Sequence, residues 1–247
     1  FASTRTDGKG RQVPFPSNLS DREVQTGFGA EGGHGMKRRL ALMAALLGLP
    51  LPAMAHPHIF AEARLEVISG SDGTISELRN VWRFDDIFSS SVLMDFDKNG
   101  DLELDHGELN EIADTIRTSI ADYGFFTSIT SNGQPVTVAM PEVFHVDFKD
   151  HQLLVFFVAK PEKTLPLKGK VTIGVYDPTM YTAIDFAKDE DMATDGDGFK
   201  ACKRAVIRPD PDEVLAQNQA SLTEAFFNDP AGTDMSKLFA TRLELTC

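Results

Sequence analysis

The feature that most restricts the fold of this chain is a three-part pattern near its start, because it decides where the folded part begins. A short basic stretch, Met36–Arg39, precedes an almost wholly apolar run, Leu40–Leu51, and the small residues Ala53 and Ala55 follow. This order is typical of a secretory signal peptide. The run is too short for a membrane anchor, which needs about 20 apolar residues. We therefore expect cleavage after Ala55.

The pattern divides the chain into three parts. Residues 1–35 precede the signal and are rich in Gly, Ser, Thr and charged residues, so we expect a non-native or disordered leader. Residues 36–55 are the predicted signal peptide. Residues 56–247 have a length that suits a single mature domain. Export through this signal predicts a periplasmic protein.

Charge narrows the possible partners of the mature part. The whole chain has 24 Lys and Arg against 37 Asp and Glu, a net charge of −13, and its first 55 residues are basic. The mature part is therefore strongly acidic. Such a surface repels nucleic acid and anionic membranes and attracts cations.

Both cysteines, Cys202 and Cys247, lie in the mature part. In an oxidising compartment an isolated pair is expected to form a disulfide. Two cysteines are too few for a cysteine-based zinc site.

Periodicity predicts an α+β fold with an antiparallel β-rich sheet or sandwich. Alternation predicts strands at His58–Ile68 and Ile75–Phe84, then a helix that Asp85 caps and that runs to Met94. Asp105 and Glu108 form a capping box for a second helix. The helix pair, at about 86–122, is predicted to be an EF-hand-like insertion.

Short β-rich runs follow this insertion, and the chain is predicted to end with a helix and a strand. The helix is Pro211–Asn228, and the last strand is Thr241–Cys247. The other predicted strands are Phe125–Thr130, Gln134–Ala139, Val143–Phe148, Leu153–Ala159, Lys170–Tyr176 and Lys200–Arg208.

The segment between the two predicted helices is similar to a calcium loop, which supplies oxygen ligands from positions 1, 3, 5, 7, 9 and 12 of twelve. Position 6, usually a glycine in a left-handed turn, is Leu102, which costs roughly 1–2 kcal/mol. The alternative is an acidic helix-capping loop that binds no metal. The ligand positions hold Asp97, Asn99, Asp101, the Glu103 carbonyl, Asp105 and Glu108.

A second register of this loop starts at Asp95 and places Gly100 at position 6. It puts His106 at position 12 and so loses the carboxylate that binds calcium through both oxygens. We therefore favour the start at Asp97.

A histidine pair opens the mature chain. His56 and His58 are two residues apart in a predicted strand, so they share one face and could bind one metal ion. Cleavage would add the His56 amine as a third nitrogen ligand. Asp85 and Asp86, at the end of the adjacent strand, are candidates to complete a tetrahedral zinc site. The alternative is a frayed strand start without metal.

The residue between the histidines affects the choice of metal. Imidazole suits zinc, copper, nickel and iron. A square-planar copper or nickel site at an N-terminus needs the amide nitrogen of the second residue, and Pro57 has no N–H. Zinc-type coordination is therefore favoured. We find no Gly-x-Ser-x-Gly elbow, phosphate loop or His-Glu-x-x-His motif, so we do not expect an enzyme.

Several segments, taken in order, resemble a domain-of-unknown-function family of secreted bacterial proteins. Members are described as periplasmic components of an uncharacterised ABC-type transport system. Some are encoded beside nickel/cobalt-type permeases, and some are implicated in zinc uptake. The resemblance extends from His56 to about Pro209 and implies transition-metal handling beside a membrane transporter. Its segments are residues 56–59, 82–89, 97–108, Asp177-Pro178-Thr179-x-Tyr181 and Cys202.

These observations favour a periplasmic accessory protein that binds a divalent metal and delivers zinc, or nickel or cobalt, to a membrane permease. The mature protein is not expected to be embedded in the membrane. Zinc and calcium are the expected cofactors. Two alternatives stay open, a calcium-stabilised β-rich structural or adhesion module and a copper protein with an N-terminal His chelate.

Overall fold

Two β-sheets organise the described part of the chain, which comprises residues 57–218 and 235–247 of this computed structural model. Both sheets are mainly antiparallel, and helices connect some of their strands. This confirms the predicted α+β class. Within the described residues, no helix is long and apolar enough to cross a membrane. His56, the predicted leader and the predicted signal peptide lie outside this part.

The first sheet is built around β1, which pairs with β2 in antiparallel fashion and with β9 and β10 in parallel. β2 continues the sheet to β6 and then to β5, while the short β7 pairs with the start of β2. Its strands are β1 (Ile59–Ser69), β2 (Thr74–Phe84), β5 (Phe144–Lys149), β6 (Gln152–Ala159), β7 (Leu165–Pro166), β9 (Thr182–Asp185) and β10 (Met192–Asp195).

The second sheet is wholly antiparallel and has the order β11-β12-β8-β3-β4. Its strands are β3 (Thr127–Ser131), β4 (Gln134–Val136), β8 (Lys170–Val175), β11 (Lys203–Ile207) and β12 (Arg242–Thr246).

Two longer helices lie between β2 and β3 in the chain. α1 begins after Asp85 and α2 begins after Asp105, and each of these aspartates caps its helix with its own side chain. Both caps were predicted from the sequence. The helices are α1 (Asp86–Phe96), α2 (His106–Ser119), α3 (Pro211–Asn218) and α4 (Ser236–Phe239), with 3₁₀ turns at Ala121–Phe126, Asp189–Asp191 and Asp197–Ala201.

Trp82 belongs to a hydrophobic core to which both sheets contribute. Its side chain is only 1% exposed. It lies edge-on to Phe157 of the first sheet, at 4.9 Å between ring centroids. It also stacks at 6.0 Å on Phe126, which directly precedes the second sheet. Aromatic contacts of this kind add to the free energy gained by burial.

The predicted strand Phe125–Thr130 is wrong in its first two residues. Gly124, Phe125 and Phe126 have φ of +60°, +57° and +53°, so β3 begins only at Thr127. This left-handed turn costs roughly 1–2 kcal/mol for each phenylalanine. Both rings are buried, and burial of a phenylalanine gains about 1.5–3 kcal/mol, which offsets that cost.

Other boundaries also differ from the predictions. The start of the predicted strand Lys200–Arg208 belongs to a 3₁₀ turn, because β11 begins only at Lys203. The predicted helix Pro211–Asn228 is present as α3 to Asn218, and its remaining residues lie outside the described part.

The structure contains the predicted disulfide, with 2.06 Å between the sulfur atoms of Cys202 and Cys247. Cys202 directly precedes β11 and Cys247 directly follows β12. These strands pair from Lys203 opposite Thr246. The disulfide therefore closes one end of an antiparallel strand pair.

Candidate functional site

His58 is the member of the predicted histidine pair that lies in the described part of the chain. It directly precedes β1, and its side chain is exposed. Its backbone N–H donates to the Tyr181 carbonyl at 2.9 Å, and the two rings lie 4.9 Å apart. The start of β1 is therefore held against the residue that precedes β9.

Asp85 uses its carboxylate to join α1 to β1. Oδ1 accepts the backbone N–H groups of Ile87 and Phe88, both at 2.9 Å. Oδ2 accepts the N–H of Phe60 at 2.9 Å, and the Asp85 N–H donates to the Phe60 carbonyl. One side chain thus caps the helix and fixes the strand two residues from His58.

These contacts change the acidity of Asp85. Partial burial raises its pKa, but hydrogen bonds from the N–H groups of Phe88, Phe60 and Ile87 outweigh this effect. The net result is a pKa below the ordinary value of 3.8. The carboxylate is therefore ionised at neutral pH, and the fold already uses both of its oxygens.

Asp86, the other predicted carboxylate ligand, is exposed at the first position of α1. Its Oδ1 accepts a hydrogen bond from Gln152 Nε2 at 2.9 Å. In residues 57–218 and 235–247, no three His, Cys, Asp or Glu side chains lie close enough together to hold a metal ion. His58, Asp85 and Asp86 therefore do not form one ligand set in the described part of the chain. His56 lies outside that part.

Asp85 and Asp86 line an open cleft of about 590 Å³ at this end of the first sheet. We call it the acidic cleft. It is defined by Phe60, Glu62, Asp85, Asp86, Ile87 and Asp185.

Glu62 and Asp185 also belong to this cleft and were not predicted from the sequence as members of it. Glu62 on β1 lies opposite Asp185 on β9 in the parallel register, and neither the strand β9 nor this pairing was predicted. The only signal was the alternation that places Glu62 on the exposed face of β1.

The six predicted calcium ligands all lie in the acidic loop, which we define as residues 97–108, from the end of α1 into α2. Asp97 organises its first half, since Oδ1 accepts the Gly100 N–H at 2.7 Å and Oδ2 accepts the Leu102 N–H at 2.8 Å. Leu102 has φ +64°, the left-handed conformation that favours glycine. The predicted conflict between residue type and backbone is therefore present.

Two hydrogen bonds between residues two positions apart continue this turn. Asn99 Oδ1 accepts the N–H of Asp101 at 2.8 Å, and Asp101 Oδ1 accepts the N–H of Glu103 at 2.9 Å. The side-chain oxygens of the first half of the loop thus bind its own backbone.

Glu108 closes the second half of the acidic loop. It is buried at 5% exposure, and its two oxygens accept the N–H groups of Lys98 and Asp105 at 2.8 and 2.9 Å. Asp105 in turn accepts from the N–H groups of Glu108 and Gly107, which lower its pKa below 3.8. The capping box predicted from the sequence is thus complete.

The chain is an α+β protein with an acidic cleft at one end of its first sheet and an acidic loop between two helices. It belongs to the family described as "protein of unknown function (DUF1007)", whose model matches residues 41–247. The match confirms the resemblance to a family of unknown function. No curated protein matches the chain.

Replacing Asp85 by Asn should lower the free energy of unfolding by about 1 kcal/mol at neutral pH. Asn can still cap α1, but it cannot serve the helix cap and the Phe60 N–H with two carboxylate oxygens. Urea denaturation of both proteins measures the difference. Asp95→Asn, on the exposed face of α1, is the matched control and should change stability by less than about 0.5 kcal/mol.

The effect of Asp85→Asn should depend on pH with a defined sign. Because the folded-state pKa of Asp85 is lowered, its contribution is full above the unfolded-state value and is lost as pH falls through the folded-state pKa. The stability difference should therefore shrink below about pH 3.8. A difference of constant size down to lower pH would contradict this account.

Replacing Leu102 by Gly should raise the free energy of unfolding by about 1 kcal/mol, because it removes a Cβ from a left-handed backbone. The Leu102 side chain is 73% exposed, so little burial is lost. Leu102→Ala is the control, since it shortens the side chain but keeps the Cβ and should give no gain. An equal gain in both variants would show that backbone strain is not the cause.

Proposed function

We propose that this chain is a periplasmic accessory protein, not an enzyme, that binds a divalent transition metal and passes it to a membrane permease. Zinc is the metal that its ligand types suit best, with nickel or cobalt as the other cargo. The metal would be held at the start of the mature chain by the His56 amine, the His56 imidazole and the His58 imidazole.

The observation that carries the proposal is the location of His58. Its exposed side chain directly precedes β1, and Phe60 of that strand is bonded to Asp85 beside the acidic cleft. His58 and these carboxylates therefore lie at the same end of the first sheet. Zinc in proteins takes both imidazole nitrogen and carboxylate oxygen.

Asp85 and Asp86 have different parts in this proposal. The oxygens of Asp85 are held by backbone N–H groups, so its negative charge would support the site from a fixed position. Asp86 accepts a hydrogen bond from the side-chain amide of Gln152. It is therefore the carboxylate that can turn towards a metal at lower free-energy cost.

Exposure also fits delivery better than storage. Ligands at the exposed start of a strand can be reached by a partner without unfolding of the sheet. The strongly acidic mature chain would in addition raise the local concentration of cations.

The acidic loop would bind calcium in an EF-hand-like arrangement and support the fold. Two observations favour this. Leu102 has the left-handed backbone that position 6 of such a loop requires, and the buried Glu108 occupies the position of the last carboxylate. The carboxylates now bond to backbone N–H groups, so calcium would have to draw Glu108 away from Lys98 and Asp105. A single loop of this kind is expected to be structural rather than a sensor.

The same loop supports a second candidate, a calcium-stabilised β-rich structural or adhesion module. That function predicts a rise in melting temperature with calcium and none with zinc. The copper alternative depends on a chelate formed by His56, which lies outside the described residues, and no observation in the described part favours it.

Zinc titration of purified protein that begins at His56 tests the proposal. Isothermal calorimetry should give one zinc site, and His56→Ala with His58→Ala should weaken it by roughly tenfold or more. His145→Ala is the matched control, because its side chain is exposed on β5, which β2 and β6 separate from β1. Unchanged zinc affinity in the His56/His58 double variant would overturn the site.

A further inference from the structure

We propose that the acidic cleft is a docking surface for a short, positively charged segment of a partner protein, which inserts an apolar side chain between Phe60 and Ile87. The proposal rests on the proposed function, because it names the surface by which the metal-bearing end of this chain would meet its permease.

Two large apolar side chains in this cleft face solvent. Phe60 is 54% exposed and Ile87 is 82% exposed. Neither belongs to the hydrophobic core, to which β1 contributes Ala61 and Ala63 from its opposite face. Exposed apolar side chains that are grouped and rimmed by polar residues are typical of interaction sites.

The small residue beside Phe60 leaves room for an incoming side chain. Ala183 of β9 pairs with Phe60 in the parallel register and also lines the cleft. A volume of about 590 Å³ suits a few side chains of a peptide segment. The shape therefore fits an apolar anchor with flanking residues at the rim.

The rim determines the charge of the partner. Four carboxylates line the cleft, those of Glu62, Asp85, Asp86 and Asp185. Arg83 is the cation among the lining residues, and it is already paired with Glu62. The net negative charge is complementary to Lys or Arg side chains on either side of the apolar anchor.

Charge also separates a protein segment from other occupants. Anionic lipid surfaces and nucleic acid would be repelled by this rim. Phe60 lies two residues from His58, so a partner seated here would have its own ligands close to the proposed metal site. The occupant is thus a cationic, apolar peptide segment.

Binding of synthetic peptides to the protein that begins at His56 tests this assignment. The probe is a labelled peptide Lys-Phe-Lys-Leu-Lys with blocked ends, measured by fluorescence anisotropy at low and high salt. One control peptide replaces Lys by Glu, and another replaces Phe and Leu by Ser. Only the first peptide should bind, and more weakly at high salt. Failure of that peptide to bind, or equal binding of the Ser peptide, overturns the proposal.

Variants locate the binding to the cleft. Phe60→Ser should weaken binding roughly tenfold, and Asp185→Asn should reduce its salt dependence. Ile87→Ser, on the exposed face of a helix, gives the same test if Phe60→Ser does not fold. Met140→Ser and Glu142→Gln are matched controls, since both residues are exposed elsewhere, and neither should change binding. Unchanged affinity in both Phe60→Ser and Ile87→Ser overturns the proposal.

Two further measurements separate this proposal from its neighbours. Zinc affinity should be the same in the wild type and in Phe60→Ser. If the protein binds the peptide but has no zinc site, the proposed metal function is wrong and the docking surface remains. A zinc site without peptide binding would do the reverse. Binding of anionic phosphatidylglycerol vesicles that Phe60→Ser abolishes would identify a membrane surface and overturn the peptide assignment.

Discussion

Strand β1 has one face in the core and one face in solvent, and it pairs with β2, β9 and β10. Its buried positions include Ala61, Ala63 and Leu65, and the residues between them are exposed. A slip of one residue would turn every apolar side chain of this face to solvent. Burial of one face therefore fixes which residues lie on the exposed face. That face carries Phe60 and Glu62, and His58 directly precedes the strand.

Asp85 connects strand β1 to helix α1 through hydrogen bonds. Its carboxylate holds the N–H of Phe60 on one side and the first turn of α1 on the other. The acidic loop begins where α1 ends, so the proposed calcium region is attached to the proposed zinc end through a single helix. A helix cap that also anchors a strand explains why a predicted metal ligand is so fully engaged in hydrogen bonds.

Local signals in the sequence predicted the elements that local energetics decide. Alternation of apolar residues along the sequence predicted β1 and β2, and the Asp105–Glu108 capping box predicted the start of α2. Two cysteines in a chain with a predicted signal peptide predicted the disulfide. Leu102 was identified as a residue in conflict with its turn, and its φ is indeed positive.

Elements stabilised by distant partners were not predictable in this way. β9 and β10 have only four residues each and depend on parallel pairing with β1. β9 brings Asp185 beside Glu62 in the acidic cleft. Because this pairing is not visible in the sequence, two of the four carboxylates of the cleft could not be assigned to it. The left-handed turn at Phe125 and Phe126 likewise follows from core packing around Trp82, which no local pattern encodes.

We propose that the mature protein begins at His56 and carries a transition metal there. Native mass spectrometry of the protein exported by living cells, followed by measurement of its N-terminal residue, tests both parts at once. We expect a chain that starts at His56, retains the Cys202–Cys247 disulfide and holds one zinc ion, which is lost when both histidines are replaced. An exported chain with a different first residue, or one that starts at His56 and carries no transition metal in zinc-replete cells, would contradict it.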